Sequence, residues 1–469
     1  MAARWTRSDG SARGGATATP GREGGPVEPA EDGATQAPPD PYAELKYRIH
    51  ERLIKELDLQ RFAAQGGAAP GEVRAAVEES AALMLAQQDV VLGRVERQRL
   101  VREIADEVLA LGPLEPLLQD PTISEVMVNR PQQVYFERDG IIYLSRVAFR
   151  DENHILRIIE KIIAPLGRRV DESSPMVDAR LADGSRVNVI IPPLAVDSPT
   201  ITIRKFARDP FTVDDLLRFG TLTKSMVDFL RAAVQTRQNI VISGGTGTGK
   251  TTLLNVLSSF VPERERLVTV EDPCELQLRQ PHVIRLETRP PNIEGKGEVV
   301  QRHLVRNALR MRPDRIIVGE VRSGEAFDML QAMNTGHDGS LTSVHANTPR
   351  DALSRIENMV LMAGFDLPVR AIREQIASAV NLIVHLTRFR DGSRKVTQVT
   401  EISGMEGDTI TLQDLFVFQQ TGVDKAGKVV GEMFATGLRP RCADRFEQEG
   451  IVLPPDTFAM PRGGVPRWR

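Results

Sequence analysis

The sequence predicts an α/β fold: a P-loop core, preceded by a smaller α+β domain and a helical N-terminal region. Three observations lead there. Residues Val241-Ile-Ser-Gly-Gly-Thr-Gly-Thr-Gly-Lys-Thr-Thr252 carry the Gly-x₄-Gly-Lys-Thr pattern between an apolar run and a helical pattern. From Asn239 onward short apolar runs alternate with helical patterns, the rhythm of an α/β core. Before that, the texture changes twice, from charged amphipathic stripes to short strands with Asp-Gly turns, and then to the α/β rhythm.

The chain has 469 residues, 41% of them apolar, enough for two or three domains with real cores. A formal net charge of -3 gives no strong global field to recruit nucleic acid or acidic membranes, and no nucleic-acid partner is expected. The two cysteines, Cys274 and Cys442, form no CxxC pair, which argues against a zinc ribbon or a disulfide scaffold and fits a reducing cytosol. No apolar stretch approaches the length of a spanning helix, and the N-terminus lacks the apolar segment of a signal peptide. Membrane contact, if any, is therefore expected to be peripheral or through a partner.

Residues 1–40, rich in Gly, Ala, Pro, Ser and Thr, read as a disordered tail. The helical region spans 41–111. Leu45, Ile49, Leu53 and Leu57 form one stripe on a charged helix beginning near Tyr42, Gly66–Pro70 interrupts it, and Glu72–Leu111 continues at helical spacing without an internal proline. The α+β domain covers 112–206, with strands at Gln133–Glu137 and Val187–Ile191, turns at Asp139-Gly140 and Asp183-Gly184, and an amphipathic helix over His154–Ile163. A linker is placed at 207–214 and the nucleotide-binding core at 215–425. Its strands are read at Asn239–Ser243, Leu267–Glu271, Arg315–Glu320, Leu341–His345 and Leu382–Leu386, with a hairpin through Asp391-Gly392. Residues 426–469 read as an appendage with a loose tail.

Gly244, Gly245, Thr246, Gly247, Thr248 and Gly249 would wrap a phosphate chain with backbone N–H groups, aided by Thr252 at the following helix start. Lys250 would reach the β and γ phosphates, and Thr251 would place its hydroxyl on Mg²⁺. Hydrolysis needs further residues. Glu271, ending the strand in Thr269-Val-Glu-Asp-Pro273, is the candidate for polarising water and, with Thr251 and Glu320, for the metal site, with Asp272 shaping the loop or the metal's outer shell. Glu320 follows Ile316–Gly319 as a Walker-B acid would. Gly319 stands where a metal-coordinating Asp is usual, so Glu320 would act through a metal-bound water or share activation of the lytic water with Glu271. Which carboxylate is the base stays open, and an ion pair with Arg322 is the plain alternative for Glu320. His337 and His345, in Thr335–Asn347, are candidate sensors of the terminal phosphate. They lie eight apart with no third ligand, so zinc is not expected. Arg279, Arg285, Arg289, Arg302, Arg306, Arg310, Arg312 and Arg315 crowd the segment between the acidic motifs. Arg204 is expected to close from the first domain, and Arg285 or Arg289 from the same or a neighbouring subunit.

Together these motifs resemble the type II/type IV secretion ATPase superfamily. The resembling stretches include Met311-Arg-Pro-Asp-Arg-Ile-Ile-Val-Gly-Glu-Val-Arg322 and Thr335-Gly-His-Asp-Gly-Ser-Leu-Thr-Ser-Val-His-Ala-Asn347. Leu286–Glu298, Asn307–Asp314 and Ile201-Thr-Ile-Arg-Lys-Phe206 resemble the CpaF-type Tad/Flp pilus assembly branch. The resemblance covers roughly 85–425. It implies a RecA-like ATPase core, a PAS-like smaller domain, ATP between the two, a homohexameric ring, and coupling to polytopic inner-membrane platform proteins from the cytoplasmic side. It matches the superfamily's acidic-box glutamate to Glu271, its Walker-B glutamate to Glu320 and its His-box histidine to His345. The four-Cys zinc element of general-secretion relatives is missing. A nucleic-acid translocating motor and a non-hydrolysing nucleotide-regulated scaffold are the competing readings.

Overall fold

The computed structural model describes residues 27–30, 35–38, 40–56, 70–88, 90–206, 210–291 and 295–460, which fall into two units, 1–206 and 207–469. Residues 1–26, the Gly66–Ala69 part of the first interruption, Ala207–Asp209 of the linker and the last nine residues lie outside the described part.

In the first unit Leu45, Ile49 and Leu53 of the predicted stripe enter a core, and Leu57 lies outside the described residues. Helix Ala43–Glu56 buries Leu45, Ile49 and Leu53 against Ala81, Leu85, Leu100 and Ile104. The helical spacing read over Glu72–Leu111 becomes two helices, Pro70–Ala86 and Arg94–Leu109. The second begins at Gly93, whose extended backbone caps the helix and whose N–H donates to the Glu96 carboxylate at 3.2 Å. Next comes a six-stranded antiparallel sheet: β1 (Ile123–Arg130), β2 (Gln133–Arg138), β3 (Ile141–Leu144), β4 (Met176–Arg180), β5 (Arg186–Ile190) and β6 (Thr200–Arg204), in the order β3-β2-β1-β6-β5-β4. Helix Glu152–Ile163, capped by the Asp151 carboxylate, lays Ile155, Ile158, Ile159 and Ile162 into one cluster with Val126, Phe136, Val187 and Ile201. Part of the expected disordered tail is ordered here. Pro29 bridges to Ser145, Ala30 N–H donates to Leu144 O at 2.8 Å, and Ala37 N–H donates to Gln132 O at 2.8 Å. Backbone hydrogen bonds to β3 and to the β1–β2 turn hold these residues where composition predicts no core.

The second unit is one nine-stranded sheet. Its strands are β7 (Ile240–Gly244), β8 (Leu267–Glu271), β9 (Val283–Glu287), β10 (Arg315–Val321), β11 (Leu341–His345), β12 (Leu382–Arg388), β13 (Arg394–Glu406), β14 (Thr409–Val423) and β15 (Val429–Ala435). The order is β15-β14-β13-β12-β7-β11-β10-β8-β9; β12 through β9 run parallel and β13 to β15 extend the sheet antiparallel. Helices cover both faces, so the parallel strands read as nearly continuous apolar runs. On one face Met226, Phe229 and Leu230 join Leu253, Leu254 and Leu257. On the other lie helices Gln301–Ala308, Glu325–Asn334, Pro349–Met362 and Val369–Ala379. The sheet continues past residue 425 through β15, and Phe446 and Phe458 pack on Phe229 with centroids 6.0 and 5.5 Å apart. This stretch is core where polarity suggested an appendage.

Candidate nucleotide site

Strand β7 lies between β11 and β12, the first strand of the unit flanked by two later ones, which opens a crevice at its C-terminal end. The chain leaves β7 at Gly244, turns through Gly245–Gly249 and enters helix Lys250–Ser258. A Cβ on Gly244 would sit 2.7 Å from the carbonyl oxygen of Leu386, so only glycine lets β7 leave beside β12. Gly249 has φ +95°, a conformation that an L side chain rarely adopts, and it ends the turn where the helix N–H groups become available. The resulting concavity of backbone donors fits a phosphate chain.

Lys250 folds back over this loop, its Nζ donating to Gly244 O at 3.1 Å and Gly245 O at 3.0 Å. Burial pushes its pKa down, against the opposing pull of Glu320. Glu320 Oε1 lies 3.9 Å from Lys250 Nζ and 3.9 Å from His345 Nδ1, while Oε2 accepts from Arg322 Nε at 2.9 Å and Nη2 at 2.6 Å. His345 is opposite Gly244 in the β11–β7 register, and its Nε2 lies 3.5 Å from Thr246 Oγ1. Burial, then the Lys250 charge, pushes its pKa down, favouring the neutral imidazole. Lys250, Glu320, His345 and the loop thus form one cluster, and both readings of Glu320 coexist: it faces the loop and pairs with Arg322. Thr251 and Thr252 occupy the second and third positions of the helix and are half-buried.

Glu271 ends β8 one strand beyond β10 and is 2% exposed. Its carboxylate is turned into its own loop, Oε2 accepting from the N–H groups of Glu275 at 2.7 Å and Leu276 at 2.8 Å and Oε1 from the Thr269 hydroxyl at 3.0 Å. Burial raises its pKa against these donors. A Cβ on Gly319 would stand 3.2 Å from Glu271 Cγ, so the glycine at the expected aspartate position makes room for the glutamate's side chain. Asp272 accepts from the Thr288 hydroxyl at 2.5 Å.

Other predicted residues are not gathered here. His337 precedes β11 and His345 ends it, so the two histidines lie at opposite ends of that strand. His337 Nδ1 is buried with no hydrogen-bond partner among the described residues. Arg285 lies on the edge strand β9, four strands and about 19 Å from β7. Arg289 donates to Gly297 O at 2.7 Å and pairs with Val299 through its backbone, clasping its own loop. Arg204 ends β6 in the first unit and is exposed. Three of the crowded arginines are structural: Arg302 and Arg306 both pair with Asp328, at 3.0 and 2.9 Å, and fully buried Arg315 pairs with Glu265 at 2.5 Å. Among the described residues no group of three or more His, Cys, Asp or Glu could hold a metal by itself, so a cation here needs ligands from the nucleotide and water.

One residue at the site escaped the sequence reading. His385 on β12 is 4% exposed, with Nδ1 2.8 Å from the Ser243 hydroxyl of β7 and a further hydrogen bond to the backbone of Asn347, just after His345. Its signal was a lone polar residue within the apolar run of β12.

The fold and this crevice define a P-loop nucleotide-binding core. The chain belongs to the type II/IV secretion system protein family, whose model matches residues 107–430; the N-terminal domain of type II secretion system protein E matches residues 42–109. A putative conjugal transfer protein of Mycobacterium tuberculosis is 36% identical over 323 residues, 68% of this chain and 91% of the relative. The type IV secretion system protein VirB11 of Bartonella henselae is 32% identical over 342 residues, 63% of this chain and 94% of the relative. The crystal structure of the VirB11 ATPase of Brucella suis with sulphate is 32% identical and covers 62% of this chain and 95% of its own, with a TM-score of 0.34. No helix among the described residues is long and apolar enough to cross a membrane.

Proposed function

We propose that the chain is a Mg²⁺-dependent ATPase with a RecA-like core and a PAS-like first domain. It would work as a homohexamer at the cytoplasmic face of the inner membrane and power Tad/Flp pilus assembly through polytopic platform proteins. The gathering of Lys250, Glu320 and His345 around the P-loop is the observation that carries this reading. Lys250 would leave the Gly244 and Gly245 carbonyls to meet the terminal phosphates. Thr251, and Glu320 through a water, would hold Mg²⁺, whose charge would offset that of the phosphates. His345 would donate one hydrogen bond to the terminal phosphate. Glu271 would polarise water only after its carboxylate leaves the Glu275 and Leu276 N–H groups, which makes Glu320 the nearer base in the observed arrangement. Arg204 would close from the first unit, and Arg285, remote from its own P-loop, from a neighbouring copy.

Phosphate release by the full chain with Mg-ATP tests the enzyme. Lys250→Ala should lower turnover roughly 100-fold or more; near-normal turnover would sink the assignment. Glu320→Gln and Glu271→Gln, compared in the same assay with bound nucleotide measured, identify the base as the variant that holds ATP unhydrolysed. Loss of surface pili in cells carrying Lys250→Ala supports the pilus branch. The name of the mycobacterial relative favours conjugal transfer as the second reading. That reading requires the variant to lose DNA transfer while pili persist.

A further inference from the structure

The strand-borne groups assigned to the hydrolysis site, His345, Glu320 and Glu271, lie to one side of the P-loop strand. His345 ends β11, Glu320 lies on β10 and Glu271 ends β8, and these strands follow β7 in that order across the sheet. A nucleotide whose phosphates run through the Gly244–Thr251 loop toward those strands carries its nucleoside the other way, over β12. There the β12–β13 hairpin stands. Arg394 Nε donates to Gly247 O at 2.9 Å, and Arg388 Nη1 lies 3.3 Å from the point a Cβ on Gly247 would occupy. The turn between them is fixed: Phe389 packs on Phe418 with ring centroids 5.5 Å apart, and Asp391 accepts from the Ser393 N–H at 2.9 Å and the Val429 N–H at 2.7 Å. Arg388 is exposed, and its side chain makes no hydrogen bond or ion pair with the described residues.

We propose that Arg388 binds the nucleoside half of the nucleotide by stacking its guanidinium plane on the base, while Arg394 fixes the tip of the P-loop through the Gly247 carbonyl. The phosphates already have Lys250 and the helix N-terminus. A planar cation displaced to the nucleoside side of that cradle meets an aromatic face, and a guanidinium stacks there where an ammonium does not. Arg394 turns the Gly247 carbonyl outward, which leaves the neighbouring N–H groups to the ligand.

This inference rests on the nucleotide reading above. The test is displacement of a fluorescent ADP analogue from the full chain by ADP and by inorganic tripolyphosphate, which has the phosphates without a base. Arg388→Ala and Arg388→Lys should both weaken ADP about tenfold, the scale of one base–side-chain stack, and leave tripolyphosphate within about twofold. Lys250→Ala should weaken both ligands. Unchanged ADP affinity in Arg388→Ala overturns the proposal, as does equal weakening of ADP and tripolyphosphate, which would place Arg388 on the phosphates. Failure of Lys250→Ala to weaken either ligand overturns the underlying nucleotide reading instead.

Discussion

Gly319 sets where Glu271 can lie. With 3.2 Å between a would-be Cβ and Glu271 Cγ, Gly319→Ala pushes the glutamate by a few tenths of an ångström and strains the bonds from Glu275 and Leu276. The cost should be about 1–3 kcal/mol, read as a lowered urea midpoint with an unchanged slope. An unaltered midpoint would mean the loop gives way freely. The buried carboxylate also has a pH signature. Its folded pKa is raised, so the native state holds its proton more tightly than the unfolded chain, and the associated stability is lost as pH rises from 4.5 through the folded value. Glu271→Gln should therefore flatten the fall in stability across that window, measured by urea unfolding of both proteins at several pH values. A slope equal to that of the parent would contradict it. The acid at the end of β8 was legible in the sequence. Its capture by N–H groups four and five residues later was not, because that depends on how the following loop turns back.

At the scale of elements, buried polar side chains tie the sheet together at the end opposite the P-loop. Asn239, 3% exposed, precedes β7; its Oδ1 accepts from Gly339 N–H at 2.8 Å and Ser340 N–H at 3.0 Å, and its Nδ2 donates to Ala379 O at 2.7 Å. One side chain thus joins the entries to β7 and β11 with the end of helix Val369–Ala379. Asn239→Ala leaves three buried backbone groups without partners, each worth about 1–3 kcal/mol. It should remove at least about 3 kcal/mol by chemical unfolding while nucleotide affinity of the folded fraction stays within twofold. Affinity falling in step with stability would show that the two ends of the sheet are coupled. The strands themselves were legible. Leu267–Glu271 and Leu341–His345 match their predicted limits, because strands buried on both faces announce themselves as apolar runs. The hairpin through Asp391-Gly392, which joins β12 to β13, was legible from its turn residues, but edge strand β9 and strands β14 and β15 were not, since half-exposed strands mix polar and apolar residues. The arginines show the same limit: Arg302, Arg306 and Arg315 look like candidate phosphate ligands in a row of residues, and only their pairing with Asp328 and Glu265 shows them to be scaffold.

At the scale of the whole molecule, the chain carries separate cores: Leu45, Leu53 and Leu100 in one cluster and Val126, Phe136 and Ile201 in another within the first unit, with the P-loop sheet and its helices in the second. Every residue of the P-loop cluster belongs to the second unit, whereas Arg204 ends β6 of the first. Hydrogen exchange can separate what each contributes, because it reports protection segment by segment. Mg-ADP should slow exchange in 244–258 and 341–347 and leave β4 to β6 unchanged, since a diphosphate lacks the terminal group that Arg204 is proposed to meet. A non-hydrolysable ATP analogue should add protection over 200–206. Arg204→Ala should keep the first effect, abolish the second and lower turnover, because a positive charge delivered by a second body makes hydrolysis conditional on closure. Protection of β6 by Mg-ADP alone, or its persistence with the ATP analogue in Arg204→Ala, would show that the first unit senses nucleotide through some route other than this arginine.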